Sequence, residues 1–161
     1  MAVNMKLCEE LVHRFAEKGC TFGTAESLTA GLIAASVAQV SGASKVLMGG
    51  IISYDPRIKV ELLDVEQEIV DTVGVVSKEC ALQMAEGAWE TLGVDLTVSA
   101  TGLAGPGGGT EETPVGTVFI GVTTVDETRV TECHFQGDRQ SIREQTVEMA
   151  LTLALEMLET L

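Results

Sequence analysis

The segment Thr21–Val40, TFGTAESLTAGLIAASVAQV, decides the fold because its pattern changes in the middle. Thr21–Ala25 is a short extended run, and Leu28–Val40 is an Ala-rich stretch that predicts a buried helix. Ser27 therefore lies at a tight strand-to-helix turn, where free backbone N–H groups can hold an oxyanion. A serine is also a preferred helix cap, so this pattern leaves a nucleophile and a cap both open.

Helices and strands alternate outward from this segment, and a hairpin follows them. The other predicted helices are Asn4–Lys18, a short helix that starts at Asp55-Pro56 and runs through Lys59 to Leu63, Glu66–Thr72, Lys78–Leu92 capped by Ser77 and ended by Gly93, and Asp138–Leu161 capped by Asp138; the strands are Val46–Tyr54, Asp95–Thr101, Val115–Val125 and Thr128–Phe135. This order predicts an α/β fold, a three-layer α/β/α sandwich around a mixed β-sheet, with residues 1–161 as one domain.

The charge balance narrows the function classes. The net charge of −14 repels a phosphate backbone, so we expect no nucleic-acid partner. No apolar run is long enough to span a bilayer and the first ten residues resemble no secretion signal, so we expect no membrane partner and a cytoplasmic location. Four separated cysteines are typical of reduced structural thiols, and no group of side chains has metal-ligand spacing, so we expect no metal and no cofactor.

A nucleophilic Ser27 needs a base, and histidine is a poor candidate in this sequence. His13 lies in the first helix and His134 in the hairpin, which disfavours a Ser-His-Asp triad. A lysine with a depressed pKa can take a hydroxyl proton as a neutral amine. Lys59 follows Tyr54 across a turn, so both can converge on one pocket; an ordinary solvated lysine beside an edge tyrosine remains the alternative.

The glycine-rich stretch from Thr101 to Thr110 follows a strand and precedes another strand. It lacks the Gly-Lys-Ser/Thr ending of a phosphate loop, but bare backbone at a strand end can pack closely against a small ligand. A flexible connection is the other reading. The candidate substrate-binding residues are Thr29, in the turn after Ser27, and, in the glycine-rich stretch, Thr101, Gly102, Gly105, Gly107 and Gly108.

Two arginines lie four residues apart at the start of the last helix. Arg139 and Arg143 therefore share a helix face near its positive end, which favours an anion. We interpret them as a candidate phosphate clamp. Surface ion pairs with Glu144 or Glu148 are the alternative.

Five motifs together resemble the CinA C-terminal (nicotinamide-nucleotide amidase) family over nearly the whole chain. They are AESLTAG (25–31), Tyr54 with Lys59, VSATGLAGPGGG (98–109), PVGT (114–117) and GDR (137–139). The resemblance implies hydrolysis of nicotinamide mononucleotide to nicotinic acid mononucleotide and ammonia by a Ser/Lys mechanism, with Ser27, Lys59 and Tyr54 as catalytic residues. It places the chain in pyridine nucleotide salvage, with a pyridine nucleotide as partner, and we also expect a homo-oligomer.

Two positions depart from the family pattern, which usually reads ESCTGG in the serine motif. Leu28 and Ala30 replace the cysteine and the first glycine, and both add bulk. A binding or regulatory module of the same fold, with little or no hydrolysis, is therefore the runner-up function. A related amidase for another small phosphorylated amide is the third.

Overall fold

A computed structural model describes residues 2–161 and gives a five-stranded mixed sheet between two layers of helices. The helices are α1 (Met5–Lys18), α2 (Leu32–Ala38), α3 (Pro56–Leu63), α4 (Gln67–Asp71), α5 (Lys78–Leu92) and α6 (Arg139–Leu158), with a 3-10 turn at Ala43–Lys45; the strands are β1 (Phe22–Glu26), β2 (Leu47–Ile52), β3 (Leu96–Gly102), β4 (Thr117–Thr123) and β5 (Thr128–His134). The predicted α/β class and three-layer architecture are confirmed.

The sheet has the strand order β2-β1-β3-β4-β5. Strands β2, β1 and β3 are parallel, while β4 and β5 run antiparallel to their neighbours. The chain leaves β1 toward β2 on one side and returns to β3 on the other. The carboxyl ends of β1 and β3 therefore form a topological switch point, the usual location of a ligand site in such sheets.

The two helical layers cover opposite faces of the sheet. Helices α1, α2 and α6 pack against one another on one face, and α5 covers the other together with α3. Because both faces are covered, every residue of β1 is buried. The core on the α6 side includes the edge-to-face pair Phe15 and Phe22, whose ring centroids are 5.5 Å apart.

Capping residues fix the helix that carries Lys59. The Asp55 carboxylate accepts a hydrogen bond from the Arg57 N–H, and Pro56 occupies the first turn of α3. Gly87 of α5 lets α3 pack closely, because a Cβ there would overlap the carbonyl of Leu63. This contact holds α3 against α5.

The predicted start of α2 is wrong. The helix begins at Leu32 instead of Leu28, because Ala30 and Gly31 have φ values of 48° and 98°. Those positive values interrupt a right-handed helix. Ser27 is therefore followed by a compact turn, and four residues separate it from the first residue of α2.

No helix among residues 2–161 is both long and apolar enough to cross a bilayer. Within the same range, no group of three or more His, Cys, Asp or Glu side chains is arranged to hold a metal ion. The four cysteines are free thiols, and three of them are buried.

Candidate active site

Ser27 lies directly after the last residue of β1, at the switch point of the sheet. Its backbone N–H donates to the carbonyl of Ala100 on the neighbouring strand β3 over 3.0 Å. Its carbonyl accepts the N–H of Ala30 at 3.0 Å, which closes the turn. The residue is 9% exposed. These bonds fix the backbone of Ser27 on both sides.

Glu26 performs the capping role that the sequence left open for Ser27. Its carboxylate is buried and accepts the N–H groups of Ile33 at 2.8 Å and Ala34 at 3.0 Å, at the start of α2. It also accepts the Thr24 hydroxyl at 2.9 Å. The free N–H groups at the helix start are thus occupied by a carboxylate, and of the two interpretations that the sequence allows for Glu26, solvated or facing the cap, the second is correct.

The serine turn, residues 27–31, keeps free backbone donors directly after Ser27. Within residues 2–161, the backbone N–H groups of Leu28 and Thr29 donate to no protein acceptor. Both groups follow Ser27 immediately in the chain. They are therefore the candidate oxyanion donors, in place of the N–H groups of α2.

Lys59 contacts Ser27 from the second turn of α3. Its Nζ lies 2.9 Å from Ser27 Oγ, 2.6 Å from the carbonyl oxygen of Ser53 and 3.1 Å from that of Tyr54. The side chain is 1% exposed. These three oxygens satisfy either form of the amine: an ammonium donates to all three, and a neutral amine donates to the two carbonyls and accepts from the hydroxyl. The alternative of a solvated lysine is excluded by this burial.

The environment of Lys59 favours the neutral amine. Burial lowers the pKa of Lys59, because charging the amine there requires desolvation, while Cys80 and Asp55 act in the opposite direction. Burial also raises the pKa of Cys80 to about 11, against the effect of Lys59. Cys80 is therefore an uncharged thiol at neutral pH. It does not raise the pKa of Lys59 there, because only a thiolate would do so.

Tyr54 contributes to the site through two different groups. Its carbonyl oxygen accepts from Lys59, whereas its phenol oxygen accepts from Arg139 Nη2 at 2.9 Å. Arg139 Nη1 donates to the carbonyl of Gly105 at 2.8 Å. The exposed Arg139 side chain thus joins Tyr54 to the glycine-rich loop.

Arg143 has a different set of partners. Its Nε donates to the carbonyl of Leu28 at 2.9 Å, and its Nη2 donates to that of Thr29 at 3.0 Å. Its Nη1 donates to Gln140 at 3.1 Å. The guanidinium is therefore engaged with the serine turn, whereas that of Arg139 contacts Tyr54 and the glycine-rich loop, and the phosphate clamp stays a prediction.

The remaining predicted substrate-binding residues differ in burial and in hydrogen-bond partners. Thr29 is fully buried and its hydroxyl has no partner within residues 2–161, while the buried Thr101 hydroxyl donates to the carbonyl of Val75 at 2.8 Å. Gly102 packs tightly against Thr117 and Val118. The sequence places Gly105, Gly107 and Gly108 in the loop: Gly105 is buried beneath Val115, and the other two are exposed.

Five of the best-formed surface cavities within residues 2–161 lie away from Ser27. The most prominent of these, about 390 Å³, lies at the far end of the sheet, between Trp89 and the β4–β5 hairpin. The strand-to-helix turn predicts that the Ser27 hydroxyl points into a pocket. In the structure the residue is nearly enclosed, and its hydroxyl contacts Lys59.

Comparison with known proteins decides the family. Residues 4–158 match the profile of the CinA C-terminal domain. The chain belongs to the CinA C-terminal domain family. Relatives include CinA-like proteins of Dictyoglomus turgidum, 46% identical over 90% of this chain, and of Leptospira borgpetersenii, 45% identical over 94%. A putative competence-damage inducible protein of Clostridium perfringens is 41% identical over 86% of this chain.

This CinA domain spans about a third of the length of those relatives, between 34% and 36% of each. Solved structures of similar size align over nearly their whole length. The competence/damage inducible protein CihA of Agrobacterium tumefaciens has a TM-score of 0.94 at 34% identity, covering 99% of this chain and 98% of its own. A CinA superfamily protein of Escherichia coli has a TM-score of 0.91 at 29% identity, covering 95% and 89%.

Proposed function

We propose that this CinA domain hydrolyses the carboxamide of nicotinamide mononucleotide to nicotinic acid mononucleotide and ammonia. The family includes nicotinamide-nucleotide amidases, which supports the substrate class. The single observation that carries the proposal is the 2.9 Å contact between Ser27 Oγ and Lys59 Nζ in a nearly closed environment. It pairs a nucleophile with a base whose pKa is lowered by burial.

In the first step, Ser27 Oγ attacks the amide carbon, and its proton passes to Lys59 Nζ. The two carbonyls of Ser53 and Tyr54 already hold two N–H groups of the lysine, so the lone pair is directed to the serine. The carbonyl oxygen of the substrate becomes an oxyanion. We assign the N–H groups of Leu28 and Thr29 as its donors.

In the second step, the tetrahedral intermediate expels the amide nitrogen. The Lys59 ammonium gives its proton to that nitrogen, ammonia leaves, and an ester to Ser27 remains. Water then attacks the ester carbon while Lys59 accepts a water proton. Collapse of this second intermediate returns the proton to Ser27 Oγ and releases the carboxylic acid, so one water is consumed for each ammonia formed.

Arg139 is the candidate phosphate ligand of the substrate. Its guanidinium is exposed, and its present acceptors are one phenol and one backbone carbonyl, both neutral. A phosphate offers charge-assisted, bidentate hydrogen bonds that are stronger than these neutral ones. Arg143 is less suited because its donors already hold the serine turn.

A nucleotide-binding module without hydrolysis is the second candidate. The low exposure of Ser27 favours it, because a substrate needs a path to the nucleophile. Leu28 occupies the turn with 5% exposure, so its bulk lies in the interior beside the site.

Ammonia release separates these functions. The protein is incubated with nicotinamide mononucleotide, with the riboside lacking phosphate, and with other small phosphorylated amides, and Ser27→Ala is the matched control. We expect ammonia from the mononucleotide in stoichiometric amounts with the nicotinic acid product, and none from the variant. Binding of the mononucleotide without ammonia would instead establish the module, and turnover of a different phosphorylated amide alone would establish a related amidase.

A further inference from the structure

Arg139 joins the two chain segments that flank Ser27. Its Nη2 donates to the phenol oxygen of Tyr54 at 2.9 Å, and its Nη1 donates to the carbonyl oxygen of Gly105 at 2.8 Å. Tyr54 lies two residues after the end of β2, and Gly105 lies three residues after the end of β3. We call these two contacts the Arg139 bridge.

The sheet topology places the Arg139 bridge across the carboxyl end of β1. Strand β1 lies between β2 and β3 and is parallel to both. Ser27 directly follows β1, and residues 53 and 101 are at the same level on the two neighbouring segments. Tyr54 and Gly105 come after those positions. The bridge therefore connects the two sides of Ser27 at the carboxyl edge of the sheet.

The burial of these residues is that of a cover over the serine. Tyr54 is 54% exposed and the Arg139 side chain is exposed, whereas Ser27 is 9% exposed. Ligands of such sheets approach from the carboxyl ends of the strands. A molecule that takes this path to the Ser27 hydroxyl meets the bridge first, so the bridge must open before the molecule can react.

The acceptors of the bridge leave Arg139 open to an anion. One acceptor is a phenol and the other is a backbone carbonyl, and no carboxylate of residues 2–161 pairs with this guanidinium. A phosphate that binds Nη1 and Nη2 bidentately forms two charge-assisted hydrogen bonds, which are stronger than bonds to neutral acceptors. It thereby replaces both acceptors of the bridge.

We propose that the Arg139 bridge is a gate over Ser27 and that a phosphate group opens it. This inference rests on the proposed role of Arg139 as phosphate ligand. The phosphate of the substrate then has two effects, because it holds the nucleotide and also admits the carboxamide to Ser27. A ligand that binds only the open state shifts the population toward that state. Free inorganic phosphate therefore activates Ser27 toward a reactant that carries no phosphate.

The first test measures the reaction of Ser27 with phenylmethylsulfonyl fluoride in a phosphate-free buffer. The serine oxygen bonds to sulfur, fluoride leaves, and the serine proton passes through Lys59 to solvent. Intact mass reports the adduct, and Ser27→Ala is the blank. Inorganic phosphate should raise the rate by about tenfold, as for a minor open state that becomes dominant, whereas potassium chloride at equal ionic strength should not.

Two variants open the gate without phosphate. Tyr54→Phe removes the phenol acceptor and keeps the main-chain carbonyl that binds Lys59, and Arg139→Ala removes both contacts. Each should raise the labelling rate by about tenfold, and phosphate should have no further effect on Arg139→Ala. Arg129→Ala is the matched control, because it removes another exposed guanidinium, paired with Glu127 at the distant hairpin, and should change nothing.

A smaller reagent separates access from reactivity. Methanesulfonyl fluoride transfers its sulfonyl group in the same way but needs a narrower opening. Phosphate and the two variants should therefore accelerate the larger reagent more than the smaller one. Equal acceleration of both reagents would mean that the serine itself has become more reactive, which would overturn the gate.

A second measurement requires no reaction at Ser27. Tyr54 is the only tyrosine of the chain, so replacing tyrosine by 3-fluorotyrosine gives one fluorine resonance. Inorganic phosphate should move this resonance toward its position in Arg139→Ala, because both changes remove the guanidinium from the phenol. A resonance that phosphate leaves unchanged, or a labelling rate that neither phosphate nor Tyr54→Phe raises, overturns the proposal.

The gate and the amidase activity fail separately in these experiments. Ammonia release from the mononucleotide without the phosphate responses would keep the amidase and reject the gate. The phosphate responses without ammonia release would keep the gate and reject the amidase.

Discussion

The serine turn and the glycine-rich loop meet at the same end of the sheet but are built differently. In the turn, residues 26–29 are buried and internal hydrogen bonds fix the backbone. In the loop, residues 106–112 are exposed, and the hydrogen bonds to the sheet lie at its base, between Leu103 and residues 116–117. Helix α6 holds each region with one arginine, Arg143 on the turn and Arg139 on the loop.

The two regions therefore have different expected roles, one in the reaction and one in substrate binding. The proposed nucleophile lies where the backbone is fixed, and the groups expected to contact the substrate's phosphate lie where the backbone is exposed. Changes in the turn should therefore lower kcat, and changes on the loop side should raise KM. The following predictions, in order of decreasing effect, test this division.

Removing either member of the dyad should give the largest effect. We expect Ser27→Ala and Lys59→Arg each to lower kcat for ammonia release by about 1,000-fold or more, since Arg keeps the charge but cannot lose its proton. Calorimetric titration should show that the mononucleotide still binds. Wild-type activity should rise with pH through the lowered pKa of Lys59, because the neutral amine is the base. Near-normal turnover by a folded Lys59→Arg protein would disprove the mechanism.

Loosening the serine turn should give the next largest effect. The Arg143 guanidinium holds the carbonyls of Leu28 and Thr29 with two nitrogens of a rigid fork, a geometry that one ammonium on a flexible stem does not reproduce, so Arg143→Lys should misplace the oxyanion donors and lower kcat by about 100-fold. KM should change little. Arg139→Lys is the matched control, and it should act on KM instead. A rise in KM with unchanged kcat in Arg143→Lys would assign this arginine to the substrate.

A pair of glycine variants distinguishes the packed base of the loop from its exposed tip. A Cβ at Gly102 would lie 2.6 Å from the carbonyl oxygen of Thr117, so Gly102→Ala should lower the free energy of unfolding by about 2 kcal/mol. A Cβ at Gly107 meets no atom within 4 Å, and Gly107→Ala should change stability by less than about 0.5 kcal/mol. Urea unfolding measures both. Equal losses would show that the tip is packed as tightly as the base.

Arg139→Ala should weaken the binding of the substrate's phosphate. We expect KM for the mononucleotide to rise by about tenfold, because a charge-assisted hydrogen-bonding partner is lost. KM for the riboside, which has no phosphate, serves as the internal control and should not rise. If both KM values rise together, Arg139 supports the site through Tyr54 or Gly105 and does not bind phosphate.

Asp55→Asn should give the smallest effect, a shift of the pH–activity profile in one defined direction. Asp55 raises the pKa of Lys59, so removing its charge should lower that pKa further and move the acidic limb of the activity profile slightly toward lower pH. Asn preserves the cap of α3, since its side-chain oxygen can still accept the Arg57 N–H. A shift toward higher pH would contradict the assignment of Lys59 as base.

Local signals predicted much of the fold. The Ser77 cap and Gly93 gave the limits of α5, and the Asp138 cap gave the start of α6. These residues act on their own helix ends, so a single sequence reveals them. The start of α2 was missed because Ala30, a strong helix former, adopts a positive φ that its residue type disfavours.

The site was harder to predict wherever partners are distant in sequence. Arg143 and Leu28 are 115 residues apart, and no local pattern reports that their groups bond. Glu26 lies at the end of a buried strand, where a carboxylate must find partners; this was a usable signal for its capping role. Lys59 and Ser27 are 32 residues apart, and two signals predicted their contact: the lack of a suitable histidine and the motifs of the family.

The atoms that position the dyad belong mainly to the main chain. Ser27 is held by the carbonyl of Ala100, and Lys59 by the carbonyls of Ser53 and Tyr54. Every amino acid supplies such a carbonyl, so these contacts depend on the path of the strands and are indifferent to the side chains at those three positions. A different protein with the same strand ends and a helix in the place of α3 could therefore acquire this serine and lysine by two substitutions. The carboxyl end of such a sheet is in this sense a transferable scaffold for enzyme design.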